Sequence, residues 1–277
     1  MNTYAMGRGG RAEAERMARG TVTESAARAG LAARGVIYLL VGALALQISF
    51  GDGGHQADRG GALAELSRQP LGSVLLWALG VGLAGMALWR LSEAVFGSAG
   101  ADGRSAKKRL LAVVRCVFYC CVAYSVLSFA AGSGGGGSSD RQSRDVTARV
   151  LDLPAGQWLV GVAGAGIAVA GVWIGVAAAR RTYRKQLRQA AMPRWGRRLT
   201  DITGVGGGVA RGLVFTAAGA FAVRAAVDTD PGRAKGLDDT LRSFAGTPLG
   251  PWLLTLVAAG LVLFGVFSFA LARWRRV

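Results

Sequence analysis

Apolar positions in this chain come in long blocks, without the short alternation of a half-buried strand. Six blocks, at 31–50, 71–89, 110–131, 155–179, 205–227 and 249–272, are predominantly apolar and near the roughly 20 residues a helix needs to cross about 30 Å of hydrocarbon. They predict an all-α polytopic membrane protein with six transmembrane helices. The second, fourth and sixth blocks hold no charged residue. The odd blocks each carry an arginine near their start (Arg34, Arg115 and Arg211), and the fifth has Arg224 near its other end.

The blocks repeat in pairs, a sign that the chain is built from copies of one unit. Each odd block opens on Arg34-Gly35-Val36-Ile37-Tyr38, Arg115-Cys116-Val117-Phe118-Tyr119 or Arg211-Gly212-Leu213-Val214-Phe215. Each even block opens on Pro70-Leu71-Gly72, Pro154-Ala155-Gly156 or Pro248-Leu249-Gly250. From Arg to Pro the distances are 36, 39 and 37 residues; Gly82, Gly166 and Gly260 follow twelve after each Pro, and Trp89, Trp173 and Phe267 nineteen after it. Small residues Gly42, Ala123 and Gly219 lie eight after each Arg. The order predicts three tandem helical hairpins in one orientation, with approximate three-fold pseudo-symmetry along the membrane normal. They are not inverted repeats around a midplane site. Close helix contacts are expected at Gly35 and Gly42, at Gly212 and Gly219, and along the glycine-rich fourth block.

Within each hairpin a short apolar-periodic piece precedes the Pro: 62–66, 146–151 and 237–244. Leu63 and Leu66, or Leu241 and Phe244, stand three apart, so each piece is expected to be a short amphipathic helix at the interface. The Pro is expected to start the returning span, where its missing N–H is harmless. The run Gly132-Ser133-Gly134-Gly135-Gly136-Gly137-Ser138-Ser139 predicts a flexible loop.

These residues resemble the actinobacterial-type membrane proteins built from three copies of the domain of unknown function 1206, over about residues 24 to 273. The resemblance rests on Ala33-Arg34-Gly35 and Ala210-Arg211-Gly212, on Gln69-Pro70-Leu71-Gly72, and on Gly236-Leu237-Asp238 with Leu241-Arg242 before Pro248-Leu249-Gly250. The second copy departs from it at Cys116 and at Leu153-Pro154-Ala155-Gly156. The resemblance implies the repeat fold and brings no activity with it. Five segments follow: a cytoplasmic N-terminal segment 1–30, repeat 1 at 31–96, repeat 2 at 97–179, a basic cytoplasmic linker 180–204, and repeat 3 at 205–277.

Composition agrees with a membrane class. Of 277 residues 52 % are hydrophobic and 18 % charged, with 43 glycines, which excludes disorder, collagen and an ordinary soluble enzyme. Charge sets the expected orientation, because Lys and Arg in short loops stay on the cytoplasmic side. Counting Arg34 and Arg211, 23 of the 33 Lys and Arg belong to the N-terminal segment, the two even-to-odd connections and the C-terminus, against 9 in the other three loops. Both termini are therefore expected in the cytoplasm of an inner-membrane protein. The first block is expected to act as a start-transfer span without a cleavable signal peptide, after an Ala-rich surface helix over 10–30 broken near Gly20.

The arginine trio is the sharpest candidate site. If the repeats are three-fold related, Arg34, Arg115 and Arg211 sit at one depth and converge on an anion; alternatively each snorkels outward to lipid phosphate. The cluster Arg180, Arg181, Arg184, Lys185, Arg188, Arg197 and Arg198 is expected to contact anionic headgroups, with no nucleic acid, since topology alone explains a juxtamembrane basic run. Cys116, Cys120 and Cys121 read as small buried hydrophobes, because a metal needs more ligands and the single histidine, His55, lies on the other side. Asp52 and Asp58, or Asp228, Asp230, Asp238 and Asp239, could offer oxygen ligands to Ca²⁺, but capping explains Asp238 and Asp239. No cofactor, metal or catalytic residue is expected. The functional expectation is a non-enzymatic structural or interaction protein binding anionic lipid, a membrane-protein partner or a second copy. The alternative is a small-solute or anion carrier with its site on the pseudo-axis.

Overall fold

In the computed structural model of the protein, residues 5–50, 56–96, 106–132, 138–245 and 250–275 are described. Asp52, His55, the glycine run 133–137 and the Pro248-Leu249 turn lie outside them. The described regular structure is helical: α1 (Ala5–Ser49), α2 (Arg59–Arg68), α3 (Gly72–Phe96), α4 (Ala106–Ala130), α5 (Ser139–Leu151), α6 (Gly156–Ala179), α7 (Arg194–Val227), α8 (Leu237–Ala245) and α9 (Gly250–Trp274). Six stretches are long and apolar enough to span a membrane: Glu24–Ser49, Gly72–Val95, Arg109–Ala130, Gly156–Ala179, Arg194–Val227 and Gly250–Trp274. The protein is thus an all-α, six-span membrane protein of three tandem hairpins, α1/α3, α4/α6 and α7/α9.

Two local expectations are corrected. Helix α1 runs unbroken through Gly20 into the first span, because one glycine costs a helix only about 1 kcal/mol. The proline does not begin the returning helix either. Leu71 and Ala155 adopt left-handed backbone, φ 64° and 63°, and α3 and α6 start one residue later, at Gly72 and Gly156. Glycine is needed there because a Cβ would lie 2.4 Å from the Leu66 carbonyl oxygen in one hairpin and 1.9 Å from that of Val150 in the other. The Pro-x-Gly signature therefore encodes a reversal folded tightly onto the end of the short helix.

The long helices pack in the order α4, α3, α1, α9, α7, α6. Within the first and third hairpins, Gly82 approaches Ala33 and Gly260 approaches Ala210; a Cβ on Gly260 would sit 2.2 Å from that of Ala210. Between hairpins, Gly35 and Gly42 of α1 fit against Gly265 and Val262 of α9, while Gly212 and Gly219 of α7 meet Gly171 and Gly164 of α6. The helices of the second hairpin, α4 and α6, share no extensive interface among the described residues. Gly166, the counterpart of Gly82 and Gly260, has open space beyond it. Where the other hairpins have Ala33 and Ala210, the second has the bulkier Val114, 58 % exposed.

At the end opposite the basic linker, the short helices α2, α5 and α8 are tied in a closed cycle. Asp58 accepts a hydrogen bond from the Ser139 N–H (2.6 Å), Asp140 from the Asp239 N–H (3.1 Å), and Asp238 from the Ala57 N–H (2.8 Å). Each hairpin thus gives a carboxylate to a backbone N–H of the next. Asp58 also caps α2 through Gly61 N–H. A side chain at Gly236 would strike Asp140 Oδ1, 2.5 Å from a built Cβ.

Candidate functional site

The odd helices carry arginine in a nearly apolar stretch, where a charge must find a partner or reach water. Arg34 is held from α9: its Nε donates to Ser268 Oγ at 3.2 Å, and that buried hydroxyl gives its own hydrogen to the Phe264 carbonyl at 2.9 Å. Arg211 lies among three rings, 5.0 Å from Phe264, 5.1 Å from Phe215 and 5.8 Å from Tyr38. Arg34 is 5.2 Å from the same Phe264 ring. The two guanidinium carbons are therefore no more than about 10 Å apart. At an effective dielectric constant near 20 they repel by at least about 1.5 kcal/mol, as much as one or two cation–π contacts return.

Arg115 comes toward them from α4, with Arg90, Glu93, Tyr119 and Arg211 as its charged and phenolic neighbours. Tyr119 lies among Arg34, Arg90 and Arg211. Arg34 and Arg211 thus share one ring, and Arg115, itself exposed, has Arg211 and Arg90 among its charged neighbours.

Two further arginines complete the group. Arg90, 5 % exposed, pairs with Glu93 at 2.5 Å and stacks on Trp89; Arg275 covers the same indole at 4.7 Å. Burial first, then the charges of Arg90 and Arg34, push the Arg275 guanidinium down to about 10, with Glu93 pulling the other way and Arg115 adding to the push. It remains charged at neutral pH, with Glu93 the carboxylate among its charged neighbours. Buried Nε atoms of Arg90, Arg211 and Arg275 have no hydrogen-bond partner among the described residues. The group thus holds five guanidinium groups and one carboxylate, Glu93, which neighbours Arg90, Arg115 and Arg275, and three buried Nε donors have no partner among the described residues. Such donors are costly unless an acceptor, a water or an anion, meets them, and a charged acceptor does so most strongly.

Sequence reasoning did not include Arg90 and Arg275, which lie just beyond their apolar blocks. An aromatic residue recurs one turn after each odd-helix arginine, Tyr38, Tyr119 and Phe215, and in the third hairpin this spacing brings Arg211 within 5.1 Å of the Phe215 ring. Trp89, noted only as a repeat marker, is the platform for Arg90 and Arg275.

The basic linker is partly engaged with the protein. Arg184 binds Asp201 through both carboxylate oxygens, Arg188 lies 3.6 Å from Glu24, and Arg197 Nε donates to the Met192 carbonyl. Arg180, Arg181, Lys185 and Arg198 are exposed. Leu187 bridges to Arg275, the Arg188 N–H donates to the Trp274 carbonyl, and Tyr183 packs on Phe267, so the linker clasps the end of α9 and places Arg275. Burial, reinforced by the Asp201 carboxylate, pushes the Tyr183 phenol up to about 12.

Other sequence candidates are placed as follows. Cys116 Sγ faces the Ala87 carbonyl of α3, whereas Cys120 and Cys121 are exposed, and among the described residues the cysteines join no group of metal-ligating side chains. Asp228 and Asp230 both pair with Arg233. Asp140, Asp238 and Asp239 bring carboxylate oxygens within 4.8 Å of one another. Two of the three are paired internally, Asp238 with Arg242 and Asp239 with Arg144.

The family model for the Domain of Unknown Function (DUF1206) matches the chain three times, at residues 29–97, 111–181 and 206–275. This chain belongs to that family. Its three copies coincide with the three helical hairpins, and the arginines Arg34, Arg115 and Arg211 occupy one position in each copy. The DUF1206 chain is also similar to the uncharacterized protein YxxB of Bacillus subtilis (strain 168), at 33 % identity over 243 residues, covering 87 % of each chain. No solved structure matches it.

Proposed function

We propose that this DUF1206 protein is a non-enzymatic plasma-membrane protein that holds the phosphate of an anionic ligand at the arginine cluster. That phosphate belongs to a phospholipid headgroup or a small phosphorylated solute. What these side chains offer an anion is charge and hydrogen-bond donation. The carrying observation is that Arg34 and Arg211 share the Phe264 ring while Arg90, Arg211 and Arg275 keep buried Nε donors unused. A phosphate oxygen accepts such donors readily and cancels the repulsion among the guanidinium groups. Lys and Arg excess supports placing this end, and both termini, on the cytoplasmic side. The exposed Arg180, Arg181, Lys185 and Arg198 then rest on anionic headgroups at the same surface.

Native mass spectrometry tests the reading, using protein released from nanodiscs of mixed phosphatidylglycerol and phosphatidylcholine. The wild type is expected to retain a discrete phosphate-bearing molecule that the Arg34→Ala/Arg115→Ala/Arg211→Ala variant loses. Equal retention by both would refute it.

A further inference from the structure

The second hairpin is built differently from the other two, and the difference sits beside the arginine cluster. Helix pairs α1/α3 and α7/α9 close at Gly82 on Ala33 and at Gly260 on Ala210. At the same offset in the second hairpin, Gly166 meets nothing within 4 Å, and Val114 stands where the other hairpins have alanine. Trp173 shows the same break: its counterparts Trp89 and Phe267 are each 5 % exposed, but it is 69 % exposed. Among the described residues, the succession of packed helices α4, α3, α1, α9, α7, α6 is not closed by an extensive interface between α4 and α6. Helical spacing puts Val117 and Phe118 on the α4 face of Val114, and Val169 and Trp173 on the α6 face of Gly166, and these apolar side chains are all exposed. At their basic end stands Arg115, the exposed member of the cluster, within charge range of Arg90 and Arg211.

We propose that the opening between α4 and α6 is a lateral entrance for a two-chain anionic phospholipid. The acyl chains lie against α4 and α6 while the phosphate reaches Arg115 and the cluster behind it. This rests on the anion-binding reading above and names the ligand as a membrane lipid. Two observations favour this occupant. Two unpartnered apolar helix faces beside a cationic end match a molecule that has apolar chains and an anionic head. A second copy of the chain, rotated about the membrane normal, would bring one basic end against another on a protein of net charge +17.

The test separates headgroup binding from chain binding. Gly166→Trp fills the opening at a position with free space, so the helix is expected to fold; circular dichroism and thermal unfolding in detergent check this. Lipid retention is read by native mass spectrometry from phosphatidylglycerol nanodiscs, and anion binding by calorimetry with inorganic pyrophosphate in uncharged detergent. The expected result is at least a roughly tenfold loss of retained phosphatidylglycerol in Gly166→Trp, with pyrophosphate affinity within about twofold of wild type. Loss of both in the Arg34→Ala/Arg115→Ala/Arg211→Ala variant accompanies it. Unchanged lipid retention in Gly166→Trp overturns the lateral entrance and leaves anion binding standing. A wild type that binds pyrophosphate but retains no lipid does the same. Dimeric wild type that becomes monomeric in Gly166→Trp with its lipid kept assigns the opening to a second copy. Wild type that binds neither probe removes the anion-binding reading itself, and the entrance with it.

Discussion

Arg34 of the first hairpin and Arg211 of the third lie against a single ring, Phe264, with guanidinium carbons 5.2 and 5.0 Å from its centroid. Two like charges are held there by an aromatic face, a serine hydroxyl and the packing of α1, α7 and α9. Such an arrangement has surplus positive charge built into it, and its properties should respond to any change in the local charge balance.

Glu93 provides the carboxylate inside the cluster, paired with Arg90 at 2.5 Å. Replacing it by Gln removes a negative charge from the anion's surroundings. Glu93→Gln is expected to tighten pyrophosphate binding several-fold in calorimetry at low salt, and to lower thermal stability without the anion because Arg90 loses its partner. Weaker binding in this variant would count against the cluster as the site.

Equivalent glycines in the three repeats should respond unequally. A Cβ at Gly260 would lie 2.2 Å from that of Ala210, whereas one at Gly166 meets nothing. Gly260→Ala is expected to destabilise by about 1–3 kcal/mol through overpacking. Gly166→Ala should be neutral or stabilising by up to about 1 kcal/mol through helix propensity. Thermal unfolding of the two variants in the same detergent checks the contrast.

Asp140 sits in the cycle of carboxylates joining α2, α5 and α8. Burial raises its pKa above the usual aspartate range; the Asp239 N–H opposes the rise, and the carboxylates of Asp239, Asp238 and Asp58 add to it. For an acid whose folded value is raised, the stabilisation is full below the unfolded value and is lost as pH rises through the folded one. Asp140→Asn keeps an acceptor for the Asp239 N–H and removes the titration. The variant is expected to melt higher than wild type at neutral pH, with a flatter pH profile from the ordinary aspartate value upward. An identical pH profile would contradict the assignment.

Tyr183 offers an optical check on the linker. Its phenol, held at about 12 by burial and by Asp201, should ionise earlier when that carboxylate is removed. Asp201→Asn is expected to shift the tyrosinate absorbance step down toward the ordinary value of about 10, stopping short of it because the burial remains. An unmoved step would place Tyr183 away from Asp201.

Much of this fold can be read from the chain because lipid imposes strong constraints. Uninterrupted apolar blocks have few structures open to them, and Arg34, Arg115 and Arg211 recur with the Pro-x-Gly turns at nearly constant spacing. Other features depend on which helix meets which. Gly166 looks like Gly82 and Gly260 in sequence, but its surroundings differ because α4 and α6 do not close. Arg90 and Arg275 sit past the ends of apolar blocks, where topology alone accounts for arginine, and it is the shared Trp89 ring that brings the two together. The Asp58, Asp140 and Asp238 cycle joins residues about 80 to 180 positions apart, beyond the reach of any local pattern.

Calorimetric titration with inorganic pyrophosphate in uncharged detergent tests the arginine cluster most directly, comparing wild type with two charge-reduced variants. One is Arg34→Ala/Arg115→Ala/Arg211→Ala; the other, Arg180→Ala/Arg181→Ala/Lys185→Ala/Arg198→Ala, removes more charge but only from the exposed linker. A saturable single site that survives in the linker variant and disappears in the cluster variant is expected. Binding that survives loss of the cluster and vanishes with the linker would contradict the account.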